Sequence, residues 1–456
     1  MDNISALIEK QREYFNSGAT RSVDFRKEQL SQLARAVENN EDKVFDALKA
    51  DLSKSQYESY LTEIGILLDD IKYVIKHIDQ WAKSKKVRTP LMHSPASSWI
   101  HPEPLGVSLI IAPWNYPFLL ALSPLVGSIA AGNCAIIKPS EFSKHTSRLL
   151  ADIVRNEFDE EYLAVVEGAS EASQALLKEK FDIIFFTGSV QVGKIVMTAA
   201  AQHLTPIILE LGGKSPSIVD SETDVSLSAK RVASGKFINA GQTCIAPDYV
   251  LVQKDIKDEF VAEFGKQLKL FYGENPQDHT DYPRIINDKH FNRLVELLNR
   301  GRILHGGQVD LADRYIAPTL LDGVTWEDPV MQEEIFGPIL PLIEYEDISQ
   351  VITWINSRPK PLALYLFTTN EKVQKKVLEE ISYGGGCIND TLIHLATPYL
   401  PFGGVGNSGM GNYHGKASFD AFSHYKSVMK KTFLLDNPFR YPPFEGKLKW
   451  VRKFLK

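Results

Sequence analysis

Cysteine is scarce, with Cys134, Cys244 and Cys387 the only three in 456 residues. An odd, sparse set builds no disulfide framework, so the thiols are expected to be free and the compartment reducing. They do not take metal-ligand spacing either. There is no CxxC, no HExxH and no Cys/His cluster, and no metal is expected. Excess positive charge is also missing. Lys and Arg number 51 against 57 Asp and Glu, a formal net charge of −6, which leaves no field to gather nucleic acid or anionic membrane. The opening MDNISALIEKQREYF carries charges throughout and lacks an apolar signal core, so the expected location is the cytoplasm. Low complexity is absent: 44% hydrophobic and 24% charged residues is a globular balance, and disorder is excluded. At roughly 150 residues per domain, the length suggests about two to four domains.

One stretch, Pro104 to Ile137, lacks charge altogether and is long enough to suggest a membrane span. It contains Pro113, Asn115, Pro117, Pro124, Gly132 and Asn133, and its strand-like LGVSLIIAP runs into the turn WNYP. Lipid does not tolerate that backbone. The pattern predicts a strand, a turn, a buried helix over Pro117–Ala131, a Gly132–Asn133 stop and a short strand, CAIIK. Residues 1–82 read as helical; in Tyr60–Trp81, Ile64, Leu67, Leu68, Ile71, Ile75 and Ile78 recur on one face. Then KSKKVRTPLMHSPASSWIHPEP, with four prolines, suggests an extended excursion or hairpin.

From Leu105 onward, short apolar runs alternate with helical patterns: Leu105–Ile111, Cys134–Lys138, Tyr162–Val166, Asp182–Phe186 and Pro206–Leu211. Continuous apolar strands separated by helices argue for a parallel sheet covered on both faces. A second series over 212–394 includes Tyr249–Val252, Gly337–Ile343, Leu362–Phe367 and Cys387–Asn389. The expected fold class is α/β: two open parallel-sheet domains plus a small β oligomerisation arm. The first domain takes 1–82 and 103–210, and the second 211–394. The arm and tail take 83–102 and 395–456.

Three motifs carry chemistry. In FFTGSVQVGK, Gly188, Ser189 and Gly193 end an apolar run and open a helix, whose N-terminal amides suit a phosphate. This is not the GxGxxG fingerprint, and it follows the fourth expected strand, so a plain capping turn is the competing reading. In LELGGKSP, Glu210 ends an apolar strand, where a carboxylate must be paired, solvated in a cleft or raised in pKa. In FINAGQTCIAPD, Cys244 sits among Gly241, Gln242 and Thr243, which is a loop setting, whereas Cys134 and Cys387 lie in apolar runs and read as packing.

With PWNYP (113–117), KPSE (138–141), EEIFGP (333–338) and PFGGVGNSGMGNYHG (401–415), these motifs stand in the order found in one family. The chain resembles the aldehyde dehydrogenase superfamily over nearly its whole length, and most closely the short class 3 branch. The resemblance implies oxidation of aldehydes to carboxylic acids with NAD or NADP, and a homodimer. It makes Cys244 the nucleophile, Glu210 the general base and Asn115 an oxyanion donor. Gly188, Ser189 and Gly193 would line the pyrophosphate site, with Val192 near the adenine. Lys138 and Glu141 would face the adenosine ribose, Glu334 the nicotinamide ribose, and Phe336 the nicotinamide. The chemistry is consistent with those types. A thiolate adds to the carbonyl, amide donors hold the oxyanion, hydride leaves to the nicotinamide, and a carboxylate activates water against the thioester.

The same resemblance implies a tunnel to Cys244. Tyr60, Tyr116, Leu120 and Phe402 are apolar candidates for its wall, and His414 a further substrate contact or a structural hydrogen bond. With no Lys or Arg among the four, medium-chain aliphatic or aromatic aldehydes are expected. Lys138 favours a 2′-phosphate and Glu141 opposes it, so NAD against NADP stays open. CoA-acylating or reductive chemistry on the same fold, and a non-catalytic binding protein, are the alternatives. Glu210 argues against the first, and retention of Cys244, Glu210 and Asn115 argues against the second. The basic tail GKLKWVRKFLK reads as solvated or packed on a subunit, with a membrane surface as the rival.

Overall fold

The computed structural model describes residues 2–436 and 438–454. Among these, a six-stranded sheet has the order Gly409–Met410, Ile207–Leu211, Ile183–Gly188, Val107–Ile111, Cys134–Lys138, Leu163–Val165. All but the two-residue edge run parallel. Val107–Ile111 and Cys134–Lys138 are buried at every residue, which is why they read as unbroken apolar runs. The chain lays Val107–Ile111 first, steps outward to Leu163–Val165, then returns to place Ile183–Gly188 on the other side. Strand order reverses there. A crevice therefore opens beyond the carboxyl ends of those two strands, and both PWNYP and GSVQVG leave from it.

The uncharged stretch folds as expected: helix Leu119–Ala131 is buried along its full length. Among the described residues, no helix is long and apolar enough to cross a membrane. The second sheet has the order Arg302–His305, Thr319–Asp322, Ile339–Tyr345, Tyr249–Gln253, Pro216–Val219, Ala363–Phe367, Gly385–Ile388. Only Arg302–His305 is antiparallel. Pro216–Val219 was not expected as a strand; its four residues follow GGKSP, a turn-like approach that hides them.

The 83–104 excursion is a hairpin, Lys85–Val87 against Ala96–Pro104, extended by Ser423–Lys431 into a three-stranded antiparallel sheet. Within the expected arm segment 395–456, Ser423–Lys431 joins this sheet. Residues 395–422 do not belong to this sheet. Phe402 bridges Tyr413, Gly409–Met410 pairs with Leu209 and Glu210, and helix Gly415–Ala421 packs on helices Gly65–Trp81 and Leu119–Ala131. The cause is close backbone approach. A Cβ on Gly409 would lie 2.4 Å from the Leu209 carbonyl, so the glycines let this loop seat against the strand that carries Glu210. Near the N-terminus, the expected continuous helix opens with a π-helical turn over Tyr60–Ile64 before Gly65–Trp81.

Candidate active site

A cleft of about 910 Å³ separates the two large sheets, at the upper end of ordinary cofactor-site volumes (about 300–1,000 Å³). From the carboxyl ends of the first sheet come Asn115, Gly188, Ser189 and Glu210. From the amino ends of the second come Cys244, before Tyr249–Gln253, and Glu334 and Phe336, before Ile339–Tyr345. Residues far apart in sequence thus line one space because the sheets meet end to end.

Ser189 caps helix Val190–Gln202 in extended backbone geometry, its hydroxyl accepting from the Val192 amide at 3.4 Å. Val190 and Gln191 open that helix on the cleft wall, where first-turn amides lack intrahelical partners and favour an anion. A Cβ on Gly193 would meet the Leu211 side chain at 2.7 Å, so this glycine lets the helix press onto the strand. Val192 is exposed on the helix. Lys138 is buried at its strand end, with Nζ 3.1 Å from Glu141 and 2.9 Å from the Pro139 carbonyl. Lys138, Glu141, Val192 and Gly193 stand outside the central cleft wall. Glu334 folds over Gly212, where an added Cβ would sit 1.9 Å from Oε2.

The loop that carries Cys244 is braced from several directions. Asn239 and Ala240 take positive φ, 51° and 49°. The Gln242 side chain donates to the carbonyls of Asn239 and Arg284, both at 3.0 Å, and accepts from the Ile286 amide at 3.0 Å. The Asn115 amide donates to the Gln242 carbonyl at 3.1 Å, and Tyr116 Oη lies 2.6 Å from Thr243 Oγ1. An amide carries two N–H groups, so Asn115 keeps one beyond that brace. Asn239 and Gln242 were not singled out by sequence; FINAGQTC signals a loop, but its anchoring partners lie at 58, 115, 284 and 286.

The acids are strongly perturbed. Apart from the neighbouring Cys244 thiol, neither Glu210 oxygen has a hydrogen-bond partner among the described residues. Burial raises its pKa to about 8, and the neighbouring Cys244 thiol draws it back only in part. Desolvation lifts the Cys244 thiol well above its ordinary range, and the charges of Glu210 and Glu334 push the same way. Glu334 is raised chiefly by desolvation and further by Asp248. At neutral pH the resting site therefore holds thiol and carboxyl protons together.

Of the expected substrate contacts, Tyr116, Leu120, Phe402 and His414 are buried. Phe402 stacks on His414 at 5.4 Å, and His414 meets Tyr413 edge-on at 4.2 Å. Tyr413 in turn feels the charges of Glu210 and Cys244. Burial lowers His414 to about 4, so it is a neutral ring. Tyr60 is exposed. It lines a separate groove of about 500 Å³ with Ala34, Leu68 and Ile75. The π-helical turn lays its ring against Gly65, 3.1 Å from where a Cβ would stand.

A family model described as the aldehyde dehydrogenase family matches residues 1–428. The chain belongs to the aldehyde dehydrogenase family. It is 49% identical to a Staphylococcus aureus protein named 4,4'-diaponeurosporen-aldehyde dehydrogenase, with both chains covered in full. It is 48% identical to the mouse "Aldehyde dehydrogenase, dimeric NADP-preferring", covering 98% of this chain and 99% of the relative. A solved structure described as the substrate-bound state of Staphylococcus aureus AldH superposes with a TM-score of 0.98 at 49% identity, with 99% of each chain covered. As an aldehyde dehydrogenase, the chain is an NAD(P)-dependent oxidoreductase of the class 3 type, using the cysteine thioester chemistry general to the family. Among the described residues, no group of three His, Cys, Asp or Glu side chains is placed to hold a metal.

Proposed function

We propose that Cys244 attacks the aldehyde carbonyl, that Asn115 and the Cys244 backbone amide hold the resulting oxyanion, and that Glu210 activates the water that hydrolyses the thioester. The observation that carries this reading is the convergence of Cys244 and Glu210, from opposite sheets, on one cleft. NAD(P)+ supplies the hydride acceptor when bound. Gly188, Ser189 and the first turn of helix Val190–Gln202 would hold its pyrophosphate; Gly193 would let that helix pack, and Val192 would lie against the adenine. Glu334 would hold the nicotinamide-side ribose and Phe336 the nicotinamide ring. Residues 1–82 and 103–210 serve as the cofactor-binding domain and 211–394 as the catalytic domain, with the 395–422 segment joining the former. Assaying acid against acyl-CoA formation, with and without added CoA, tests hydrolysis as the final step; acyl-CoA as the main product would overturn the role of Glu210.

The Lys138–Glu141 pair sets the cofactor choice. A 2′-phosphate would compete with Glu141 for the Lys138 ammonium, so Glu141→Gln should raise kcat/KM for NADP+ relative to NAD+ about tenfold, the scale of one charge-assisted contact. An unchanged ratio would remove the pair from cofactor selection.

The substrate is an apolar aldehyde of medium chain length, or an aromatic one. Tyr116, whose Oη lies 2.6 Å from Thr243 Oγ1 next to Cys244, Leu120 one helical turn on, and Phe402 would supply an apolar wall, and neutral His414 would offer no charge to a semialdehyde carboxylate. Each buried methylene contributes about 0.8 kcal/mol, so kcat/KM should climb about fourfold per carbon from acetaldehyde until the wall is filled. A flat series through decanal, or succinate semialdehyde performing best, would rule the reading out. Three unpaired thiols suit a reducing cytoplasm. The strand Ser423–Lys431 pairs on one edge only, and an open edge is a ready pairing surface. A homodimer using that edge agrees with relatives named dimeric.

A further inference from the structure

Beneath the PWNYP turn lies an ion pair with no exposed side-chain surface. Lys54 Nζ is 2.6 Å from Glu63 Oε1, and both side chains are 0% exposed. Two charges withdrawn from water are costly unless their remaining valences are filled, and here each is directed at the backbone around Asn115. Lys54 Nζ also donates to the Asn115 carbonyl at 3.2 Å and lies 4.0 Å above the Tyr116 ring. The second Glu63 oxygen accepts from the Phe118 and Leu119 amides, at 2.9 and 3.2 Å, where helix Leu119–Ala131 begins.

The other side of the turn is held as well. Asn239 Nδ2 donates to the same Asn115 carbonyl at 2.7 Å, and the Asn239 amide donates to buried Glu58 at 2.8 Å. Two donors from different elements therefore converge on the carbonyl of the residue whose side chain braces Gln242, two residues before Cys244. The pair comes from the N-terminal helical segment and its side chains lie off the cleft wall, so it reaches the cleft through the backbone it holds.

We propose that Lys54 and Glu63 are positioning residues for the oxyanion. Clamping the Asn115 carbonyl and the helix start behind it fixes the peptide from which the Asn115 amide projects, keeping its free N–H aimed at the thiol-bound oxygen. This rests on the assignment of Cys244 and Asn115 above. A misaimed donor weakens only the step in which charge develops on that oxygen, and a shift of about 1 Å is worth about 10²-fold in rate.

The test is a rapid-mixing measurement of the reduced-cofactor burst with hexanal and NAD+, beside the rate at which iodoacetamide alkylates Cys244. Alkylation displaces iodide from carbon and creates no oxyanion, so it reports the thiol and its loop without Asn115. Lys54→Met should slow the burst about 10²-fold while alkylation and NAD+ affinity stay near the parent. Lys54→Met strands a buried carboxylate, so the paired variant Lys54→Met with Glu63→Gln removes both charges together. It should melt near the parent temperature and still show the slow burst. Breaking the exposed Lys10–Glu160 pair with Lys10→Met should change neither. A burst within about threefold of the parent in the paired variant, or alkylation slowed in parallel with it, would overturn the proposal. A full burst in Asn115→Ala would instead overturn the oxyanion reading and this inference with it.

Discussion

Cys244→Ala should leave no measurable aldehyde-dependent reduction of cofactor, while Cys134→Ala and Cys387→Ala keep most of the parent rate. The three thiols differ in setting. Cys134 is fully buried in a central strand, its pKa pushed to about 12 by desolvation. Cys387 is half-buried, raised by desolvation, and 3.5 Å from His394 Nδ1. That imidazole is itself lowered to about 4 by burial and cannot supply a cation to make a thiolate. Only Cys244 opens onto the cleft that holds Glu210 and Asn115. Its own pKa lies well above the ordinary range, through burial and two neighbouring carboxyl groups. Its reaction with iodoacetamide in the cofactor-free enzyme should therefore keep accelerating above pH 9, where a normal thiol has levelled off. Substantial cofactor reduction by Cys244→Ala, or an alkylation rate that plateaus near pH 8, would show that a different group is the nucleophile or that its surroundings are not as described.

How far these residues could be read without coordinates depended on whether their signal was local. Val107–Ile111, Cys134–Lys138 and Ile207–Leu211 are buried on both faces, so composition alone marked them as strands. Helix Leu119–Ala131 was bounded by Pro117 and Gly132. Cys244, Glu210 and Gly188 stand in motifs whose glycines and prolines interrupt apolar runs, and the family's motif order then supplied their roles. The rest is non-local. Nothing near Lys54 or Glu63 announces that they meet the Asn115 carbonyl and the helix start behind it. Gln242 looks like one more loop residue until the Arg284 and Ile286 backbones close on its amide. Helical periodicity assumes 3.6 residues per turn, so the π-helical turn at Tyr60–Ile64 has no signature in the spacing of Ile64, Leu67 and Ile71. In the glycine-rich 403–411 segment, glycine density signals turns and close backbone approach alike.

Glu210→Gln is expected to pull function and stability in opposite directions. Losing a general base should slow turnover by about two to four orders of magnitude. If Glu210 serves only hydrolysis of the thioester, a first-turnover burst of reduced cofactor survives. The base must be ionised to act, so with a pKa of about 8 the parent's hydrolytic step should speed up as pH rises through about 8. The same raised pKa works against the fold. The native state keeps this proton up to about pH 8, whereas the unfolded chain releases it near 4.5. The folded form therefore binds more protons across that window, and stability falls as pH rises through it. The loss is complete above about pH 8, where the native state must carry a buried carboxylate with only the Cys244 thiol beside it. Glutamine carries no such charge. Glu210→Gln should thus melt at a higher temperature than the parent at pH 9, with the gap closing by pH 5. Equal melting temperatures at pH 9 would mean that Glu210 is ionised without cost and is paired in solution. A burst that collapses together with turnover would give Glu210 a part in activating the thiol, and its role as a base for hydrolysis alone would have to be dropped.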